Sequence, residues 1–154
     1  EDKADPISPC GKSRLAGEQA LLELNADNIC IIRTGWLFGP DGDSFLKRLL
    51  GRAKTEGTVE VIHDQIGSPT YAKDLAQATL QLVKRRAPGL YHVANSGQAT
   101  LPCSVRAVAS SDKTLRANYE VLSSAKYTAL TGCTMRPWSQ ALREYIYSVL
   151  LASQ

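Results

Sequence analysis

The sequence predicts an α/β fold in which parallel strands are flanked by helices, and three observations carry that expectation. Helical and extended patterns alternate along most of the chain. Residues 29–32 are apolar on both alternating faces, as in a strand covered on both sides. Clusters of Gly, Pro, Asp and Ser separate the periodic stretches, so each has room to turn back against its neighbour.

The first element is a helix over 13–24, where Leu15, Ala16, Ala20, Leu21 and Leu24 recur mostly at three and four residue intervals. That spacing predicts one buried stripe, with Ser13 as the start and Asn25 as the stop. The apolar strand at 29–32 includes Cys30 and gives way to Arg33 and Thr34. Gly39, Pro40, Asp41 and Gly42 form a break, and a second helix is expected from about Ser44. A short strand follows at 59–62, then a loop over 64–70 that is dense in turn formers.

Residues 71–84 form the next amphipathic helix, through Leu75, Ala76, Ala78, Thr79, Leu82 and Val83. Gly89 opens another strand, LYHVAN. A further strand is expected at 105–109, separated from it by Asn95 to Ser104. That link barely fits a parallel crossover with its helix, and Gly97 and Pro102 disfavour a helix there, so the two strands are antiparallel or not adjacent. Helices over 123–130, ended by Gly132, and over 138–151, started after Pro137, close the chain.

Length and composition bound the rest. The 154 residues are 44% hydrophobic with 11 Gly and 7 Pro, which suits one globular domain and excludes a disordered or collagen-like chain. A chain of this size buries roughly 70% of its unfolded surface without help from disulfides or metals. No apolar run reaches the ~18 residues that span a bilayer, and EDKADPISP lacks the parts of a secretory signal, so no membrane association and a cytoplasmic location are expected. The net charge of +3 has no basic stripe behind it and does not point to nucleic acid. Cys10, Cys30, Cys103 and Cys133, with His63 and His92, show no metal-ligand spacing, so no metal is expected and the thiols are expected to be reduced.

Five segments then become specific: GKSRLAGEQA (11–20), RTGWLFG (33–39), DQIGSPTYAKDLA (64–76), GLYHVANSG (89–97) and RPWSQALREY (136–145). In order and spacing they resemble the dTDP-4-dehydrorhamnose reductase family of extended short-chain dehydrogenase/reductases, and they resemble its carboxyl-terminal half only. The resemblance implies part of a Rossmann-type parallel sheet together with a substrate-binding lobe. It further implies that 1–154 is a single truncated reductase-like domain, without the amino-terminal dinucleotide-binding half. The family activity is reduction of the C4 ketone of dTDP-4-dehydrorhamnose by NADPH or NADH, in dTDP-rhamnose synthesis.

The family holds its NADP or NAD on a Gly-rich turn at a helix amino terminus. No GxGxxG or GxxGxxG occurs in this sequence, so tight cofactor binding by these residues alone is not expected. The family also carries tyrosine and lysine four apart on one helix face, as in YGxSKxxGE. The matching positions are Cys10 and Arg14. A thiol on one carbon lacks the reach of a phenol, and Arg14 cannot move a proton at neutral pH. As a catalytic pair they are expected to be non-functional, while Arg14 remains a cation able to hold a ribose or phosphate of the cofactor.

On the substrate side, the family equivalent of Trp36 lies against the sugar; packing in a core or interface is the plainer role for this indole. Gln65, Ser68 and Thr70 would offer fixed polar groups to a nucleotide sugar, with Gly67 supplying an unusual backbone angle and Pro69 stiffness. The same loop reads equally as a rigid connection capped by Asp64 or Thr70. Asp74 either orients that loop or is a solvated carboxylate at a helix start. Arg33 and Thr34 mark a strand end, His92 a sheet position, His63 loop surface, and Trp138 a packing anchor for the last helix.

Two kinds of function follow. One is a reductase-like protein, inactive as this chain alone. The other is a non-catalytic nucleotide-sugar-binding or partner-associating protein, similar to the regulatory subunit of methionine adenosyltransferase. Half of a doubly wound sheet leaves an apolar edge and uncovered faces, which predicts a homo-oligomer or association with a dinucleotide-binding half.

Overall fold

A computed structural model describes residues 3–24, 27–42, 46–48, 51, 55, 61–62, 65–100, 107–108 and 117–150. Helix α1 spans Pro9–Glu23 and begins earlier than Ser13 because Ser8 caps it: the Gly11 amide donates to Ser8 Oγ at 3.0 Å, and Pro9 opens the first turn. Its predicted buried stripe does not form. No residue of α1 is buried, and Leu21, Leu22 and Leu24 are 44%, 52% and 68% exposed. At 100° per residue Leu15 and Leu22 lie on one side of the helix and Ala20, Leu21 and Leu24 toward the other, so the apolar residues do not make a single face to bury.

Strand β1, Cys30–Arg33, runs parallel to a later strand, Gly89–His92, with Cys30 opposite Gly89 and Arg33 opposite His92. Between them in sequence come four two-residue strands, β2 (Leu37–Phe38), β3 (Val61–Ile62), β4 (Ile66–Gly67) and β5 (Thr70–Tyr71), and then helix α2 (Ala72–Lys84). Counting in chain order, Gly89–His92 is β6, followed by β7 (Ala99–Thr100), β8 (Ala107–Val108) and β9 (Tyr119–Glu120). β2 pairs with β5 and β3 with β8, both parallel. β4 lies between β7, antiparallel, and β9, parallel. The 64–70 stretch is therefore not all loop: two-residue strands are too short to show a period of two in sequence. β8 sits beside β3 in these pairings, which agrees with a linker too short for a parallel step from β6.

One core forms where α2 and helix α3 (Ala125–Thr131) pack beside the β1–β6 pair. Ala78, Leu82, Ala87, Tyr91, Val93 and Tyr127 are its buried residues, with Cys30, Ile32, Leu75 and Met135 against them. Burial pushes the Cys30 thiol up, as suits a small core hydrophobe, and Cys10, Cys30 and Cys133 are all free. α2 ends with Arg86 at φ 47°, its amide donating to the Val83 carbonyl and that of Ala87 to Leu82. α3 ends on Gly132, whose φ of 70° is easy only for glycine.

The second core is aromatic. Phe38 and Tyr71 stack at 5.3 Å across the β2–β5 pair, and Tyr145 closes on both at 5.8 and 6.1 Å. Tyr145 comes from helix α4, Trp138–Tyr145, which starts directly after Pro137 as expected and continues as a π-helical turn, Ile146–Leu150. Among the described residues no helix is long and apolar enough to cross a membrane, and no cluster of three or more metal-ligating side chains occurs.

Leu82 is fully buried at the centre of the first core. Leu82→Ala is expected to lower unfolding stability by about 2–5 kcal/mol, read as a shift in the urea midpoint.

Candidate functional site

The site is organised by a polar network that links elements far apart in sequence. Asp74, in the first turn of α2, is nearly buried and is bound in fork geometry by Arg136: Nε donates to Oδ2 and an Nη to Oδ1, both at 2.8 Å. Asn95 Nδ2, just past β6 and 1% exposed, donates to Asp74 Oδ2 at 2.7 Å and to the Arg136 carbonyl at 3.1 Å. Its Oδ1 accepts the Tyr71 amide at 2.8 Å. Asp74 is therefore a paired carboxylate and not a solvated one, and it reaches the end of the 64–70 loop through Asn95.

The network reaches the surface through Glu144 of α4, which accepts from Arg136 at 2.5 Å and from Lys73 at 2.8 Å. Hydrogen bonds to Asp74 first, then to Glu144, hold the Arg136 guanidinium above its ordinary range despite partial burial. Lys73 and Arg136 hold the Glu144 carboxyl below the usual carboxylate range. Trp138 acts as a packing anchor: its indole donates to the Gln98 carbonyl at 3.2 Å and lies against Gly97.

Within this frame the loop residues take different places. Ser68 and Thr70 are fully buried; Ser68 Oγ accepts the Leu122 amide at 3.0 Å, and Thr70 Oγ1 donates to the Ser68 carbonyl at 3.2 Å. Their hydroxyls hold the loop from inside and do not form its outer surface. Gln65 is half-buried at the entrance to β4. Trp36 is half-buried, and its indole lies directly on Gly67, where a Cβ would fall 2.3 Å from Cε2. Gly67 is thus required by that close approach; its backbone does not take the left-handed angle expected of it.

Cys10 and Arg14 lie apart from this loop, exposed on α1. Among the described residues no hydrogen bond or ion pair joins them to each other or to Trp36, Gln65, Ser68 or Thr70. One turn further along α1, Glu18 receives Arg33 Nε at 2.9 and 3.1 Å and an Nη at 2.5 Å, tying the helix to the end of β1. Those bonds hold the Glu18 carboxyl low, with a smaller contribution from His92. Thr34 Oγ1, next along the chain, is buried and has no hydrogen-bond partner among the described residues. His63, Asp64 and Cys103 lie outside the described residues.

Arg136, Asn95 and Glu144 were not legible as site residues in sequence. Arg136 meets Asp74 across 62 positions, a separation that leaves no local pattern. Nothing in the sequence signals that partner; only the burial of Asp74, seen in the structure, calls for a cation.

Residues 1–114 match the family model described as the RmlD substrate binding domain. The spore coat polysaccharide biosynthesis protein SpsK of Bacillus subtilis is 38% identical over 164 residues, covering 95% of this chain and 56% of that protein. A dTDP-4-dehydrorhamnose reductase of Mycolicibacterium smegmatis is 35% identical over 173 residues, covering 99% and 52%. Among solved structures, dTDP-4-dehydrorhamnose reductase from Bacillus anthracis in complex with NADP superposes with a TM-score of 0.86 at 29% identity, covering 94% of this chain and 57% of that one. The chain spans about half the length of the curated relatives it matches.

Removing the Arg136 fork leaves Asp74 with one partner side chain in a poorly solvated place. Arg136→Ala is expected to cost about 3 kcal/mol in chemical denaturation, with Arg136→Lys recovering only part because it lacks the two-pronged geometry. Glu18 and Glu144 both have folded values below 4.5, so their contribution is complete above 4.5 and is lost as pH falls through the lowered values. Urea midpoints measured across acid pH should fall in that window, and Glu18→Gln should flatten the fall.

Proposed function

The chain belongs to the RmlD substrate binding domain family, and on that basis we propose that it is the substrate-binding part of a dTDP-4-dehydrorhamnose reductase-like protein, holding a dTDP-linked hexose. The observation that carries this reading is that Trp36 and the 65–70 loop, which share one surface, both lie inside the matched residues 1–114. An indole face suits the apolar side of a hexose, and the loop beneath it is fixed by buried hydroxyls. Gln65 and Trp36 supply the reachable groups, while Ser68 and Thr70 shape the loop.

The related reductase from Bacillus anthracis was solved with NADP. The described residues of this chain do not fit the pyrophosphate of such a cofactor. The amino terminus of α1 is closed by its own Ser8, and a Cβ on Gly11 would lie 2.9 Å from Pro6. That of α2 carries the Asp74 carboxylate in its first turn, which repels phosphate. α4 opens behind Arg136, whose guanidinium is engaged by Asp74 and Glu144. Hydride transfer to a C4 ketone, from NADPH or NADH, therefore requires a dinucleotide-binding half from outside these residues.

The proton donor also differs from the family pattern, with Cys10 and Arg14 where tyrosine and lysine are expected. Both are exposed, and among the described residues no hydrogen bond connects the thiol to a group that would activate it. These residues are not proposed to act in catalysis; Arg14 retains a charge suited to a phosphate or ribose. A second reading, a non-catalytic protein that works through a partner, as in the regulatory subunit of methionine adenosyltransferase, is favoured by the same replacement. The partner surface proposed in either case is α1, where Leu21, Leu22 and Leu24 stand in solvent. A second copy or a separate dinucleotide-binding half would cover it, and the proposed compartment is the cytoplasm.

Titration calorimetry with dTDP-rhamnose is expected to show binding. Incubation of the chain with NADPH and dTDP-4-dehydrorhamnose is expected to show no loss of NADPH absorbance. Turnover by the chain alone would overturn the inactive-alone reading, and absence of sugar-nucleotide binding would favour the partner-protein reading. Sedimentation velocity should show self-association that Leu21→Glu with Leu22→Glu abolishes.

A further inference from the structure

Trp36 is held in a conformation that non-glycine residues rarely adopt, with φ at 45°. Its carbonyl accepts the Thr70 amide at 3.1 Å, and the residue after it, Leu37, is in register with Thr70 on β5. The ring lies on Gly67 so closely that a Cβ there would be 2.3 Å from Cε2 and 2.7 Å from Nε1. Opposite Gly67 on β9 stands Glu120, and the indole Nε1–H donates to its Oε2 at 3.4 Å. That bond is long for N–H···O, so its strength rests on the carboxylate charge.

One face of the ring is therefore seated on backbone and its N–H edge is tied to an exposed carboxylate. Among the described residues Glu120 Oε1 receives no hydrogen bond, and Glu120 itself is exposed beside the half-buried indole. A carboxylate oxygen next to an aromatic face matches what a hexose presents, a ring of C–H groups edged by hydroxyl donors. Neither the loop sequence nor the family motif segments contain Glu120.

We propose that Glu120 is a positioning and specificity residue for the hexose: Oε2 fixes the plane of Trp36, and Oε1 accepts a sugar hydroxyl. The proposal rests on the nucleotide-sugar reading for the second role, whereas the first is a property of the free protein. It distinguishes a nucleotide carrying a hydroxylated hexose from the same nucleotide without one.

The two roles are separated by using Trp138→Phe as the background, which leaves Trp36 as the remaining one of two tryptophans. Without ligand, Glu120→Ala should lower the fluorescence anisotropy of Trp36 and increase its quenching by acrylamide, while Glu120→Gln, whose amide oxygen still accepts the indole N–H, should restore both. Gly67→Ala, which displaces the ring from the opposite side, should change the same signals with Glu120 intact. In calorimetry, Glu120→Ala should weaken dTDP-rhamnose about tenfold, the loss of one charged hydrogen bond, and leave dTDP unchanged. Unchanged anisotropy and quenching in Glu120→Ala, or an equal loss for dTDP and dTDP-rhamnose, would overturn the proposal. If the unsubstituted protein binds neither nucleotide, the functional reading fails and the sugar role with it, while the quenching series still decides whether Glu120 holds the ring.

Discussion

The forked ion pair between Asp74 and Arg136 is the constraint on which the described structure turns. It joins the start of α2 to the segment that leads into α4, and those two helices belong to different cores. Such a pair is costly to remove from water, so its value depends on complete hydrogen bonding. Asn95 completes it on the inside and Glu144 with Lys73 on the outside. The same asparagine accepts the Tyr71 amide, which places the end of the 65–71 segment relative to β6. A polar network fixes relative position here more sharply than two separate apolar clusters would.

Given that frame, the Trp36 surface follows from short-range sterics. Gly67 lets the indole descend onto backbone, the Thr70 amide secures the Trp36 carbonyl, and the register of β4 with β9 brings Glu120 to the ring nitrogen. Buried Ser68 and Thr70 stiffen the segment without meeting solvent. The sugar platform proposed above needs this rigidity, because a stacked ring gains little if it must first be ordered. α1, which carries Cys10 and Arg14, is tied to the end of β1 by the Glu18–Arg33 pair, and among the described residues no hydrogen bond or ion pair joins Cys10 or Arg14 to the indole.

α1 shows how intervals of three and four residues can predict a helix correctly and its buried stripe incorrectly. Its residues form a helix, well capped by Ser8, yet none of its leucines is buried. Its leucines point to different sides of the helix, so the spacing reports the helix and not a single apolar face. The chain spans about half the length of the curated relatives it matches, and the exposed leucines of α1 are where a second copy or a separate dinucleotide-binding half sits in the proposal above. The loop at 64–70 failed in the opposite sense, since strands of two residues are made by pairing partners and have no pattern of their own.

The sequence by itself determined the α/β class, a helix at 71–84 and another starting after Pro137, strands at 29–32 and from Gly89, the helix stop at Gly132 and the family resemblance, while the parallel pairing of 30–33 with 89–92 came from the structure. These are local or near-local properties, set by period, turn chemistry and motif order. The tertiary structure alone decided that Asp74 meets Arg136, that Gly67 is small because Trp36 lies on it, that Ser68 and Thr70 face inward, and that Glu120 reaches the indole. Each depends on residues separated by tens of positions, where loop closure and packing choose the partner, and no spacing rule along one chain encodes that choice.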